Sequence, residues 1–220
     1  MIIRSAALVL AFGRFALAQT GSGSDRVATA APAKPGIVDQ IVTQIKGASA
    51  TSPARPERFS EFVLSTVGPV PLIGEAAGAG LSQWMNSPEE WGQGWDAYGK
   101  RYLSNLAYNG VRQTVTYSSS LVLREDNRYF VSGRSGVWPR TRHALVSTFT
   151  ARHVNGKDSF SFSSTTGVIA AAAISSTWGP DSWKGPGNIA ANAALSFAST
   201  AAFNVVREFL PGILIRRPRQ

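Results

Sequence analysis

The sequence predicts an all-α fold: a bundle of five or six helices rich in small residues, preceded by a flexible linker. Three observations point there. Aromatic and aliphatic residues recur at three- and four-residue spacing along much of the chain. Ser87-Pro88-Glu89-Glu90 has the residues of a helix start, with a capping serine, a proline for the first turn and a glutamate to complete a capping box. Residues 159–180 and 185–206 carry no charge, and each is near the length of a helix that crosses a bilayer core.

The chain begins with a pattern that reads as an export signal. Residues 1–4 are a short basic start, residues 5–12 an apolar run, and Ala16-Leu17-Ala18 the small-x-small pattern of a signal peptidase site. Residues 19–56 are mostly Ala, Ser, Thr, Gly and Pro and read as a flexible linker, because such a composition buries too little apolar surface to offset the entropy of ordering. Within it Ile37, Val38, Ile41, Val42 and Ile45 share one helical face, so residues 37–46 are an amphipathic segment expected to form on docking. The helical domain covers residues 57–210, and residues 211–220 are a basic tail.

Within the domain, ERFSEFVLSTVGP predicts a short helix burying Phe59, Phe62 and Val63 and stopped at Gly68-Pro69. LIGEAAGAGLSQWM predicts a helix in which Gly74 and Gly78 form a small-xxx-small pair for close packing. The helix after Ser87 is expected from Pro88 to Leu123, taking in Gly92-Gln93-Gly94. Its stripe Trp91, Trp95, Tyr98 and Tyr102 reads first as core, with an aromatic belt at a membrane interface as the alternative. The β-branched residues and serines of TVTYSSSLVL are expected to fray its end. RTRHALVSTFTARHV is read as a helix stopped by Gly156. Its passable alternation and the Asn155-Gly156 turn leave a β-hairpin over residues 145–163 as the second reading. The two uncharged stretches, joined by GPDSWKGPG, predict a helical hairpin whose many alanines permit close contact.

Composition narrows the chemistry. Only 16% of residues are charged and 44% are hydrophobic, a balance that suits tight packing or contact with lipid. Lys and Arg number 22 against 13 Asp and Glu, a formal +9. Loss of residues 1–18 would remove Arg4 and Arg14 and leave +7. That excess suits a membrane or another anionic envelope surface. There is no cysteine, so disulfides, thiolate metal sites and cysteine nucleophiles are excluded. His143 and His153 are the only histidines and lie in no metal-binding motif. No nucleophile elbow, P-loop or dinucleotide fingerprint occurs. No catalytic residue, metal site or cofactor is therefore assigned. Nucleic-acid binding lacks any reading motif and conflicts with export.

The densest charge lies at residues 122–145. Arg124, Glu125, Asp126 and Arg128 are read as an ion-pair joint between helices. Arg128, Arg134, Arg140, Arg142 and His143 make the competing reading, an anion site for phosphate or a phospholipid headgroup.

The succession SPEEWGQGWDAYGKRY, REDNRYF, RTRHALVSTF and NVVREFLPGI resembles a family of uncharacterised exported proteins frequent in acidobacterial genomes. The likeness covers residues 58–213 and implies an envelope location. Arg140-Thr141-Arg142 followed by FSFSSTTGVIAAAA is similar to type 2 phosphatidic acid phosphatases, where a PSGH motif opens a small-residue membrane helix at a phosphate site. Ser163, Ser164, Thr165 and Thr166 stand where that motif's histidine belongs, and nothing near Arg207 matches the family's final His/Asp pair. The resemblance thus does not imply an active phosphatase. The expectation is an exported protein of the periplasm or an envelope membrane, structural or interacting in role and open to forming a homo-oligomer. The alternative is a phosphate- or headgroup-handling enzyme or binder.

Overall fold

The computed structural model describes Gly36 and residues 55–153 and 156–214. The export signal, the amphipathic segment 37–46, the rest of the linker up to residue 54, and residues 215–220 lie outside the described residues. Six α-helices and one three-stranded sheet make up the described part, so the fold is mostly helical as expected. They are α1 (Arg55–Val67), α2 (Pro69–Trp84), α3 (Trp95–Leu123), β1 (Glu125–Asp126), α4 (Val137–Val146), β2 (Thr150–His153), β3 (Asp158–Phe160), α5 (Phe162–Ser175) and α6 (Pro186–Leu214). The stretch read as a basic tail is thus helical in its first four residues, as the end of α6.

The spine is α3. It packs most extensively on α5 and then on α2 and α1, while α6 lies on α5 and on α4. Successive passages are antiparallel and have two distinct ends. At one end α2 hands over to α3, where the Gln83 side-chain amide donates to the Gly94 carbonyl at 3.1 Å. The turn after α5 joins them there, with Trp183 packed on Trp91 at 5.4 Å between ring centroids. The start of α1, the end of α3, the start of α5 and the last described turns of α6 meet at the other end, around residues 125–140.

Several local expectations are corrected. The start at Ser87-Pro88 makes only a 3₁₀ turn, Glu89–Trp91, with no side-chain cap. Gly92 and Gly94 have positive φ angles of 66° and 100°, so this segment is a turn, and α3 begins at Trp95. Its far end does not fray: the helix continues to Leu123 and stops at Arg124, which is left-handed with φ 57°. The helix expected to run on to Gly156 ends at Val146, and the hairpin reading holds from Thr150 to Phe160. Gly156, at φ 75°, turns the chain and its N–H donates to the His153 carbonyl at 2.9 Å. The pull into β-structure comes from β1, whose Glu125 and Asp126 pair with His153 and Arg152.

The aromatic stripe is not core. Trp95 is 89% exposed, and Tyr98 and Tyr102 are half-buried and stacked on each other. Close helix contact is made by small residues instead. Leaving Pro88 aside, the fully buried hydrophobic residues are alanines except for Tyr129 and Val168. The critical glycine is neither Gly74 nor Gly78. A Cβ on Gly74 meets nothing within 4 Å, and one on Gly78 meets only the Asn105 side chain at 3.4 Å. On Gly167 of α5 it would lie 2.1 Å from the Thr116 hydroxyl and 2.8 Å from the Arg112 carbonyl. The α3 backbone therefore sets how near α5 comes.

A proline break shows how the interior handles backbone polarity. Pro69 has no N–H to give the Ser65 carbonyl. Asn109 donates to the Ser65 and Thr66 carbonyls, each at 3.2 Å, and Gln113 to the Ser65 carbonyl at 3.4 Å. Gly167→Ala is expected to force α5 off α3 and to cost about 1–3 kcal/mol through overpacking. Ala171→Gly, with no added bulk, should lack that steric cost. Thermal unfolding of both variants, followed by circular dichroism, checks the difference.

Candidate functional site: a carboxylate-centred hub

The charged stretch 122–145 folds into a hub that ties four passages together through two almost fully enclosed carboxylates, Glu125 and Glu208, beside a third buried one, Asp126. Glu125 is 1% exposed. Its carboxylate accepts the N–H of Phe162 at 3.2 Å, the N–H of Ser163 at 2.9 Å and the Ser163 hydroxyl at 2.5 Å. These N–H groups open α5 and have no partner within the helix, and the positive end of the helix dipole favours an anion there. Ser161, the N-cap, accepts from the Ser164 N–H at 3.1 Å and donates to the Asn127 side chain. The backbone carbonyl of Glu125 accepts from Arg58 at the start of α1 at 3.3 Å.

The neighbouring acid works outward. Asp126 receives Arg128 on both carboxylate oxygens, at 2.8 to 3.2 Å, and Arg128 also reaches Glu61 of α1 at 3.3 Å. Burial alone would lower the Arg128 pKa. The Asp126 hydrogen bonds and charge, together with Glu61, more than reverse this and hold it above its ordinary value. Arg128 and Arg152 both lie over the Phe130 ring, at 5.5 and 4.0 Å from its centroid.

The second enclosed carboxylate is Glu208 of α6, fully inaccessible to solvent. It accepts the Tyr129 hydroxyl at 2.5 Å, the Ser132 hydroxyl at 2.5 Å, the Ser132 N–H at 3.1 Å and Arg140 Nε at 3.2 Å. Arg140 also donates to the Glu208 carbonyl and covers the Phe209 ring. Burial first, and then the bond to Glu208, push the Tyr129 phenol pKa upward, so Tyr129 stays a neutral donor.

The residues named from the sequence are therefore divided. Asp126 and Arg128 form an ion pair. Glu125 caps a helix, with His153 Nε2 3.9 Å away. Arg124 is exposed and makes no ion pair among the described residues. In the proposed anion set, Arg128 and Arg140 face carboxylates and His143 Nε2 lies 2.8 Å from the Phe130 carbonyl. Arg134 and Arg142 are exposed, without an ion pair among the described residues. The arrangement brings the set to one end of the bundle but does not converge it on one point. No group of three or more His, Asp or Glu among the described residues is placed to hold a metal ion.

Sequence reading missed Glu61, Tyr129, Ser132, Ser161, Ser163 and Glu208. One signal was available: Glu208 is the only acid after Asp181, and a lone carboxylate at the end of an uncharged helix needs partners. It also missed Arg101, which is 1% exposed and donates to the Ser87 carbonyl at 2.8 Å, the Pro88 carbonyl at 2.9 Å and the Gln83 side chain at 2.5 Å. Compared with protein-family models, curated proteins and solved structures, the chain finds no match.

Glu125→Ala should leave the first N–H groups of α5 buried without partners and cost about 1–3 kcal/mol. Thermal melts of this variant beside Arg124→Ala, which should change little, check the assignment. Alkaline pH gives a second measurement. The raised Tyr129 pKa means that its contribution is fully present below about pH 10, its unfolded value, and is lost as pH rises through the higher folded value. Tyr129→Phe should lower stability at neutral pH and make the alkaline decline shallower than in the wild type.

Proposed function

We propose that the chain is an exported, membrane-associated protein of the cell envelope with a structural or interaction role. One observation carries this reading: burial is inverted relative to a protein surrounded by water. Arg101, Asn109, Glu125, Ser163, Asn204 and Glu208 are buried, whereas Ile73, Leu103, Leu195, Trp84 and Trp95 are more than half exposed. Contiguous exposed apolar surface marks a site of association. Two stretches, Glu57–Trp84 and Pro186–Phe209, are long and apolar enough to cross a membrane. The export signal read from residues 1–18 and the excess of basic residues agree with an envelope location.

The hub supports a structural role for residues 125–140, because its buried carboxylates already have protein donors. A second reading, binding of phosphate or a phospholipid headgroup, draws support from Arg134 and Arg142, which lie exposed without acidic partners among the described residues.

Fractionation of expressing cells, with carbonate extraction of the membranes, tests the main reading. The protein should stay in the pellet and begin at Gln19 by mass spectrometry. Recovery of the intact chain from Met1 in the soluble cytoplasmic fraction would overturn it. Millimolar phosphate should leave the wild-type melting temperature unchanged. A rise that disappears in both Arg134→Ala and Arg142→Ala would instead establish the second reading.

A further inference from the structure

We infer that the bundle crosses a lipid bilayer, with the tryptophan-rich turn at one headgroup layer and the carboxylate hub at the other. This rests on the membrane reading above and goes beyond it, because association alone would be met by a protein lying on the surface.

Charge placement is the first argument. Between Glu61 and Glu89 the only charged residue is Glu75, and between Arg101 and Arg124 it is Arg112. None occurs between Asp158 and Asp181, or between Lys184 and Arg207. The four gaps are 27, 22, 22 and 22 residues. α3 and, but for Gly185, α6 are helical throughout their gaps, and 22 helical residues span about 33 Å, against a hydrocarbon core of about 30 Å. α5 is helical over 14 residues, about 21 Å, and the residues on either side complete its passage. The gaps belong to four antiparallel passages in register, since their bounding charges gather at the same two ends. Glu75 and Arg112 are each half-buried and lie within electrostatic reach of one another, and Arg112 donates to Thr200 of α6 at 3.1 Å. Among the described residues these are the charges at mid-height, and Arg112 engages the bundle's own α6, as a hydrocarbon surround requires.

The ends supply the second argument. Five of the six tryptophans, Trp84, Trp91, Trp95, Trp178 and Trp183, lie toward the turn that joins α2 to α3 and α5 to α6. Amphipathic indole rings favour the headgroup level. Trp84 and Trp95 are 84% and 89% exposed, which a water-facing surface does not explain. At the opposite end stand the hub arginines and the exposed Trp138. The distance between the ends is fixed by α3, whose 29 residues extend about 43 Å, matching a bilayer of about 40–45 Å with its headgroups. The third argument is the backbone. The Ser65 carbonyl that Pro69 leaves without an N–H donor is met by Asn109 and Gln113 from α3, and in lipid no water could meet it.

The chain has no cysteine, so single reporters can be introduced cleanly. Ile73→Cys, Thr114→Cys, Ile169→Cys and Leu195→Cys place one exposed mid-height site on each passage, and Trp95→Cys and Val137→Cys place one at each end. Each full-length variant carries an environment-sensitive maleimide probe in phosphatidylcholine–phosphatidylglycerol vesicles containing lipids brominated at shallow or deep acyl positions. Circular dichroism confirms the fold, and Ala77→Cys and Ala198→Cys replace any variant that fails. The expected result is strongest quenching of all four mid-height probes by deep bromine, with both end probes quenched better by shallow bromine. Deep quenching confined to one or two passages, with the protein still floating with the vesicles, would overturn spanning and leave association intact. Mid-height probes shielded from an aqueous quencher but untouched by bromine would mean a second copy covers the belt, and would also overturn it. Failure to float with the vesicles would remove the membrane reading itself.

Discussion

The Glu125 carboxylate sits where α3 ends and α5 begins, and the rest of the arrangement depends on what it accepts. The first N–H groups of α5 cannot be satisfied within that helix, and they are buried against α3 by the close contact at Gly167. A carboxylate delivered from the residue just after the α3 C-cap meets that need and the helix dipole together. It also fixes the vertical position of α5 against α3, because Glu125 and the α5 start can meet at only one offset. Arg124 takes the left-handed conformation that turns the chain sharply enough to aim Glu125 inward. The two-residue strand follows, and β2 and β3 pair onto it, so the small sheet is a consequence of the cap rather than an independent unit.

From that fixed offset follows an interior built on an unusual balance. Alanine, glycine and serine let α5 sit between α3 and α6, and these small side chains give little apolar burial for each residue ordered. The deficit is met by hydrogen bonds from buried side chains to backbone carbonyls and carboxylates: Arg101 at one end, Asn109 at the Pro69 break, and Glu125 and Glu208 at the hub. In water, a protein whose Leu and Ile point outward while Asn and Glu point inward forfeits much of the hydrophobic term. In lipid the same distribution loses nothing, because small residues and interhelical hydrogen bonds drive helix association there.

The sequence revealed the helical class because charge-free stretches and helical spacing are local and long. It revealed the turn at Gly68-Pro69 and the α5–α6 hairpin for the same reason. The start of α3 was misplaced because a serine, a proline and two glutamates form a local cap signal, whereas the positive φ angles at Gly92 and Gly94 are set by the fit of the turn against Arg101 and Gln83. The hairpin over residues 150–160 reads as helix from the sequence because its stabilising partner is β1, two residues long and paired 26 and 28 positions away. The aromatic stripe has the spacing of a core face, and nothing in that local spacing shows that Trp95 points outward. At the hub, the charged residues were visible but their pairing was not. Asp126 and Arg128 are close in sequence and paired, yet Glu125 went to a helix terminus 37 residues later and Arg140 to a glutamate 68 residues later.

That redistribution bears on what the arginines can do. A guanidinium facing a buried carboxylate has most of its directional donors engaged, and an incoming phosphate would have to displace a partner that cannot leave for water. Arg140 is the clearest case. It contacts both the side chain and the backbone of Glu208 and covers Phe209, so releasing it would strand a fully buried negative charge. Arg128 is held by two acids in the same way. The charge available to an external anion at this end is therefore carried by exposed residues such as Arg124, Arg134 and Arg142, which are spread over a turn and a short helix and do not converge. Separated surface cations attract an anionic layer through summed, screened charge. They do not build the bidentate pocket that a discrete phosphate needs. The hub end is thus suited to rest against a layer of headgroups, while its buried interior is suited to keep the helix ends together.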